Sequence, residues 1–368
     1  MRAPLVDLFD WLHTNAPKAT YNLAYSNIHG LTLEEYQRYC GYSLPKDFDL
    51  GINEAHGTKE LIQTLSKIYQ CLEENIVTTT GTSEANYLVF SSLLGPGDEF
   101  IIEQPSYQPM WLTLEMLGGT RVPWPRRFEN KYHLEIETLE PLLTNKTKLI
   151  VLTNLHNPSG VWTDRRTMES VAKIAQDHGC YVVVDEIYLD GGFKRYPSSF
   201  GLPRVIVTSS TTKVYGLGGL HTGWIVAPAE IAAEFQRRKA HTTGASSFVS
   251  EVMTSHALGA AREKLIARFQ SRAEKNIGLL RKWIREHHDV LDWVEPDGGI
   301  VCFPRYHLTM PSVPLCKRLL DEAGVLVNPG AFFNEDGHFR VSYGIESEAF
   351  ERALGALAEA LARFKNLQ

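Results

Sequence analysis

The sequence predicts an α/β fold built on a mostly parallel sheet, and three observations carry that expectation. The chain has 368 residues, 43% hydrophobic and 22% charged, an ordinary globular composition. At roughly 150 residues per domain its length suggests about two domains. From residue 75 onward, short β-branched runs that are apolar on both faces alternate with helical patterns. Runs of that kind suit strands covered on both sides of a sheet, and strand alternating with helix is the pattern of parallel α/β units.

The runs, in order, are Asn75 to Thr80, Glu99 to Glu103, Leu149 to Thr153, Tyr181 to Asp185 and Val205 to Thr208. Between the third and fourth, Thr163 to His178 repeats apolar residues at helical spacing, with Thr163 or Asp164 placed to cap. From Ala261 to His287 a charged amphipathic stretch, broken only by Gly278, predicts one long helix leaving the first domain. After Pro296-Asp297-Gly298-Gly299 come short strands (Ile300 to Phe303, Phe339 to Ser342) and helices (Ser312 to Ala323, Ser347 to Phe364), an α+β pattern suited to a smaller unit. Residues 1–45 have a helix pattern of their own but no room for a domain. They are expected to pack on that smaller unit, giving a large domain over 46–265 and a small one from 1–45 and 266–368.

Charge and cysteine usage narrow the function. With 37 Lys+Arg against 43 Asp+Glu, a formal net charge of −6, there is no global positive field for a nucleic acid backbone. An anionic ligand would need a local site. The cysteines Cys40, Cys71, Cys180, Cys302 and Cys316 are odd in number and scattered, which disfavours disulfide and zinc frameworks, so no metal is expected. No stretch approaches about 18 uninterrupted apolar residues, and Met1 to Leu12 carries Asp7 and Asp10 in an amphipathic pattern. The expectation is a reduced, cytoplasmic protein without a membrane partner.

In parallel α/β sheets ligands gather at the carboxyl ends of strands, so the residues just after each run hold the chemistry. Ser209-Ser210-Thr211-Thr212-Lys213 follows the Val205 run and leads into Gly216-Leu217-Gly218-Gly219. A lysine between hydroxyls and glycines suits an amine that forms a Schiff base beside a held phosphate; taken alone, it fits a solvated loop better, and the other segments reverse that. Asp185 ends a strand apolar on both faces, and a carboxylate in so dry a position needs a cationic or hydrogen-bonding partner. That partner is either a neighbouring arginine or a protonated ring nitrogen. Tyr188, three residues on, can turn its hydroxyl into the same space. Asn157 precedes Pro158, which holds its backbone extended and leaves its amide to donate into the cleft. Thr80-Gly81-Thr82-Ser83 lies between a strand and a helical pattern, where free N–H groups and hydroxyls make an anion site, or where Thr82 or Ser83 simply caps the helix. Pro105-Ser106-Tyr107 brings an aromatic ring over the same crevice.

The set Thr82-Ser83, Tyr107, Asn157-Pro158-Ser159-Gly160, Asp185-x-x-Tyr188 and Ser210-x-x-Lys213-x-x-Gly216-Leu217 resembles, in order and spacing, fold-type-I pyridoxal 5'-phosphate (PLP) enzymes of the class I/II aminotransferase family. The resemblance runs from about Asn22 to Phe364. It implies a mostly parallel seven-stranded large domain and a smaller α+β domain made from both chain ends. By resemblance, Lys213 forms the Schiff base with PLP and moves the substrate Cα proton through a quinonoid stage. Asp185 keeps the pyridine nitrogen protonated, which makes the ring an electron sink. Asn157 and Tyr188 bond the ring's 3-oxygen, Tyr107 stacks on its face, and Thr82, Ser83 and Ser210 hold the phosphate. Arg340 matches the arginine that takes the substrate carboxylate in a bidentate fork; otherwise it is an exposed strand arginine.

Two positions depart from the family pattern. Where most relatives place an arginine against the phosphate, eight residues after the lysine, this chain has His221, a weaker and titratable partner. Where many have a tyrosine that reaches the other subunit's phosphate, it has Ile52. The resemblance implies an aminotransferase acting on an L-amino acid and a 2-oxo acid, as a homodimer with active sites at the interface. It extends to capreomycidine-synthase-like cyclases, which carry out elimination and ring closure on an arginine derivative, and His29, in Tyr25-Ser26-Asn27-Ile28-His29-Gly30, is a candidate for choosing between these fates at the substrate. A non-catalytic ligand-binding module is a further alternative, though the stretch before Asn22 is too short for a DNA-binding head. Gly216-x-Gly218-Gly219 lacks the Gly-x-Gly-x-x-Gly spacing of a dinucleotide site.

Overall fold

The computed structural model describes residues 3–366. Its centre is a seven-stranded sheet of β1 (Ile76–Thr80), β2 (Glu99–Gln104), β3 (Thr120–Pro125), β4 (Thr147–Thr153), β5 (Tyr181–Asp185), β6 (Val205–Ser210) and β7 (Thr222–Val226). The spatial order is β1-β7-β6-β5-β4-β2-β3. All neighbours from β3 to β6 pair in parallel, while β7 runs antiparallel to both β6 and β1. The chain is thus a mixed α/β protein with a mostly parallel sheet, as its sequence predicts.

Both faces of the sheet are covered, which is why its strands read as apolar runs. In β4, Leu149 and Val151 enter one core while Ile150 and Leu152 enter the other; in β5, Val183 separates from Val182 and Val184 in the same way. Each fully buried aliphatic side chain contributes roughly 1.5–3 kcal/mol of transfer free energy.

Two strands go beyond the five predicted runs. β3 holds Pro123 and Pro125, which break a strand pattern, and the edge of the sheet is where such residues are tolerated. β7 hides in the glycine-rich segment after Lys213. Its Gly223 is obligatory, because a Cβ there would stand 2.4 Å from the carbonyl carbon of Gly81, the residue after the adjoining strand β1.

The helix Arg165–Asp177 fills the predicted segment. Asp164 caps it by accepting from the Thr167 N–H at 2.9 Å, and Met168, Val171, Ala172 and Ala175 form its buried face. The long helix Arg262–Glu286 passes through Gly278 unbroken, touching the turn after β5 at one end and the helix Ser347–Lys365 further on. A division at 265 therefore cuts through its first turn.

Beyond it, Val301–Cys302, Phe339–Ser342 and Asn328–Pro329 form a small antiparallel sheet beside the helices Ser312–Ala323 and Ser347–Lys365. The N-terminal segment is stitched into this region. Tyr21–Asn22 pairs in parallel with Val325–Leu326, and the Ser342 N–H donates to the Leu23 carbonyl at 2.7 Å. That anchoring leads the next few residues across the carboxyl ends of β5 and β6. No helix among the described residues is long and apolar enough to cross a membrane.

Candidate functional site

The carboxyl ends of β4, β5 and β6, the start of the helix Gly81–Leu93 and the N-terminal segment enclose a cavity of about 220 Å³. Its wall includes Thr82, Ser83, Tyr107, Asn157, Asp185, Tyr188, Ser210, Lys213 and His221. Nine predicted residues from six separate segments thus meet around one space.

Lys213 is partly buried in this wall, not solvated in a loop, and its Nζ donates to Ser26 Oγ at 3.3 Å. Burial, and then the positive charge of Arg340, draw its pKa down to about 8, while Asp185 pulls the other way. A substantial share of neutral amine near physiological pH is what nucleophilic attack on a carbonyl requires.

Asp185 is held by two donors and no arginine. Asn86 Nδ2 donates to Oδ2 at 3.1 Å and the Ile187 N–H to Oδ1 at 3.0 Å. Burial nevertheless raises its pKa to about 6, partly offset by those bonds and by Lys213. Of the two partners expected for this carboxylate, the neighbouring arginine is absent from its contacts.

Asn157 is fixed from behind. Its N–H donates to Thr153 Oγ1 at 2.9 Å, and Thr153 in turn donates both its N–H and its hydroxyl to Glu103 Oε1, each at 2.6 Å. Glu103 meets Arg126 at 2.7 Å in a fully buried ion pair. The turn itself is tied down by His156, whose Nε2 must donate to the Pro105 carbonyl at 2.8 Å, so that its Nδ1 accepts from Ser159 Oγ at 2.6 Å. Burial holds His156 neutral, its pKa well below the usual range.

Arg340 is buried, which rules out the exposed-strand alternative, and it stands behind Asn157, off the cavity wall. Nη1 donates to Asn157 Oδ1 at 3.0 Å and Nη2 to the Ala24 carbonyl at 2.9 Å, while Nε has no partner. Tyr188, whose pKa burial raises to about 12, donates its hydroxyl to the Ser26 carbonyl at 2.9 Å. Ser210 Oγ donates to Thr212 Oγ1 at 3.1 Å. Tyr107 stands edge-on to Phe9 of the N-terminal helix Asp7–Asn15, with centroids 6.4 Å apart.

The helix Gly81–Leu93 starts two residues earlier than a Thr82 cap would require and three earlier than a Ser83 cap. Thr80 occupies the cap position without a side-chain bond, and Thr82 Oγ1 is buried with no partner. An orphaned hydroxyl beside unbonded first-turn amides fits an anionic group. His221 has φ 50°, and its ring lies against Gly81 so closely that a Cβ at Gly81 would be 2.8 Å from its Cε1.

Two residues lie elsewhere. His29 is exposed and lines a separate groove with Tyr25 and Glu346, its carbonyl accepting from Arg268; the hydrogen bonds of residues 21–24 aim Ser26, three positions earlier, at the lysine instead. Ile52 is exposed on a loop outside the cavity. Conversely, Ser26, Asn86, Thr153 and Phe9 line the cavity without having been picked out as site residues. For Asn86 a signal existed: it falls one helical turn after Thr82.

The Aminotransferase class I and II profile matches residues 50–357. Capreomycidine synthase of Streptomyces vinaceus is 28% identical over 378 aligned positions, covering 97% of this chain and 94% of its own length. An aspartate aminotransferase of Pyrococcus horikoshii is 29% identical over 302 positions, covering 78% and 75%. Among solved structures, a PLP-dependent aminotransferase from Streptococcus suis superimposes with a TM-score of 0.92 at 29% identity, covering 99% of each chain.

Proposed function

The chain belongs to the aminotransferase class I and II family, a PLP-dependent class of enzymes, and from that premise we propose that it binds PLP in the Lys213 cavity and transfers an amino group from an L-amino acid to a 2-oxo acid. The observation that carries the reading is the meeting, in one cavity, of an amine whose pKa is drawn down to about 8 and a carboxylate raised to about 6.

PLP bound there would supply a carbonyl carbon and an electron-accepting ring. Lys213 would hold the carbonyl end and would move the proton at the substrate Cα. Asp185 holds a proton on the ring nitrogen. Asn157, with its oxygen engaged by Arg340, donates from Nδ2; Tyr188 can join it by releasing the Ser26 carbonyl. Tyr107 covers the ring. Thr82, Ser83, Ser210 and the first-turn amides hold the phosphate, with His221 beside them. Arg340 serves the substrate carboxylate through Nε and its remaining N–H groups. The reading includes a homodimer, which sedimentation of the purified chain would check.

A second reading is elimination and ring closure on an arginine derivative. What favours it is the 97% span of the similarity to capreomycidine synthase, against 78% for the aspartate aminotransferase. One experiment separates the two. The PLP-loaded enzyme is mixed with a panel of amino acids, arginine derivatives included, without any 2-oxo acid, and products are identified by mass. Keto acid limited to one equivalent per site supports transamination. Product that keeps forming without an acceptor supports the cyclase.

A further inference from the structure

The carboxylate of Asp185 is served by a relay that no motif disclosed. Thr208 Oγ1 donates to Asn86 Oδ1 at 2.7 Å, and Asn86 Nδ2 donates to Asp185 Oδ2 at 3.1 Å. We propose that Asn86 and Thr208 are positioning residues that hold Asp185 as an ionised acceptor aimed at the cofactor ring, an inference that rests on the PLP reading of the site.

The direction of the relay follows from its ends. Asp185 accepts the Ile187 N–H on Oδ1, so its other oxygen is best served by a donor too. If the Asn86 amide were reversed, its carbonyl oxygen would face Oδ2 and two acceptors would repel. The Thr208 hydroxyl enforces the productive orientation, because it donates to Oδ1 of Asn86 and holds it away from the carboxylate. Register places it there: Thr208 on β6 lies opposite Asp185 on β5. All three side chains are buried, Thr208 completely, so water does not compete. With one fixed donor on each oxygen, Asp185 keeps a lone pair for a ring N–H, and both donors favour the ionised carboxylate. Burial opposes ionisation of this carboxylate, and the Asn86 bond is first among the contacts that oppose burial.

The helix Gly81–Leu93 adds a second reason. Thr82 and Asn86 are four residues apart, share a face and both line the cavity. One rigid helical turn therefore presents the orphaned hydroxyl at the anion end and the amide at the carboxylate end. It sets the spacing between the two ends of the ligand without relying on a loop.

The test uses PLP-loaded wild type, Asn86→Leu, Thr208→Val and Thr208→Ser. The readouts are the pH midpoint of the bound cofactor's visible absorption without substrate, the PLP dissociation constant, and kcat and KM separately. A weaker grip on the ring proton leaves the ring less positive, so the proton at Lys213 Nζ persists to higher pH. The midpoint is expected to rise by about half a unit or more in Asn86→Leu and by less in Thr208→Val, with Thr208→Ser like wild type. PLP affinity should fall several-fold, and kcat should fall while KM stays within about threefold. A wild-type band whose midpoint does not move in Asn86→Leu overturns the relay and leaves the PLP reading standing. A wild type that gains no visible band overturns both. Should Asn86→Leu not fold, Thr208→Val behaving like Thr208→Ser overturns the relay.

Discussion

Arg340 Nη1 and Asn157 Oδ1 meet at 3.0 Å, and that bond ties the C-terminal strand to the turn after β4. It orients the Asn157 amide, since an oxygen that accepts from a guanidinium leaves the NH2 to face the cavity. One buried cation thus stands behind both the ring site and the proposed carboxylate site. Arg340→Met is expected to raise the KM for the amino acid by about 10–100-fold, the scale of a lost charge-assisted pair. Arg340→Lys should recover only part of this, because an ammonium cannot reproduce the fork. Steady-state kinetics of both variants with KM values equal to wild type would refute the assignment.

Burial and, after it, the same arginine influence the pH at which the lysine reacts. Lys213 must lose its proton to attack a carbonyl, and its pKa is lowered to about 8 by burial and by Arg340. The rate of PLP uptake by the cofactor-free protein should therefore rise with pH and level off above about 8. Removing the positive charge in Arg340→Met moves that midpoint upward, because the ammonium form is no longer repelled. Stopped-flow absorbance across pH 6 to 10 reads it, and a midpoint unmoved or lowered in the variant contradicts the argument.

His221 lies against Gly81, at the start of the helix proposed to hold the phosphate. A guanidinium offers a phosphate a permanent charge and a planar fork of donors, which an imidazole does not, so His221→Arg should bind PLP more tightly. Dissociation constants of wild type and variant read it, and a variant that holds PLP no more tightly than wild type would sink the idea. Gly81→Ala should weaken PLP binding in its own way, since its methyl would meet the imidazole at 2.8 Å and its φ of +73° disfavours a side chain.

Stability depends on a contact well behind the site. Glu103 and Arg126 form a fully buried pair, and Glu103 carries Thr153 and through it Asn157. Arg126→Met leaves a carboxylate buried without its cation and should cost about 3–5 kcal/mol. Glu103→Gln with Arg126→Met should recover much of the loss, because the amide oxygen still accepts from Thr153. Urea unfolding midpoints of the single and double variants decide it, and equal midpoints would count against a buried charge as the cause.

The local code was legible. The five strand runs and the helix Ser312–Ala323 were readable because covered strands must be apolar on both faces and a half-buried helix must repeat at 3.6 residues. β3 and β7 were not, since prolines tolerated only at an edge, and a glycine forced by the close approach of the Gly81 backbone, erase the pattern that local reading uses. The cofactor-end residues, from Thr82 to Lys213, stood out for a related reason. Each follows a strand or opens a helix, and parallel sheets bring those positions together.

By itself the sequence determined the strand and helix pattern, the residues at the strand ends and the family they resemble. Only the tertiary structure decided that Ser26 faces Lys213, that Arg340 orients Asn157 and that Thr208 aims Asn86 at Asp185. These pairs lie 187, 183, 122 and 99 positions apart. A side chain's hydrogen-bond partner is set by geometry across the fold and leaves no periodic trace in the chain. His29 illustrates the limit: its segment reaches the site, but the pairing of Tyr21–Asn22 with Val325–Leu326, ending four positions before Ser26, leads Ser26 and not His29 to the lysine.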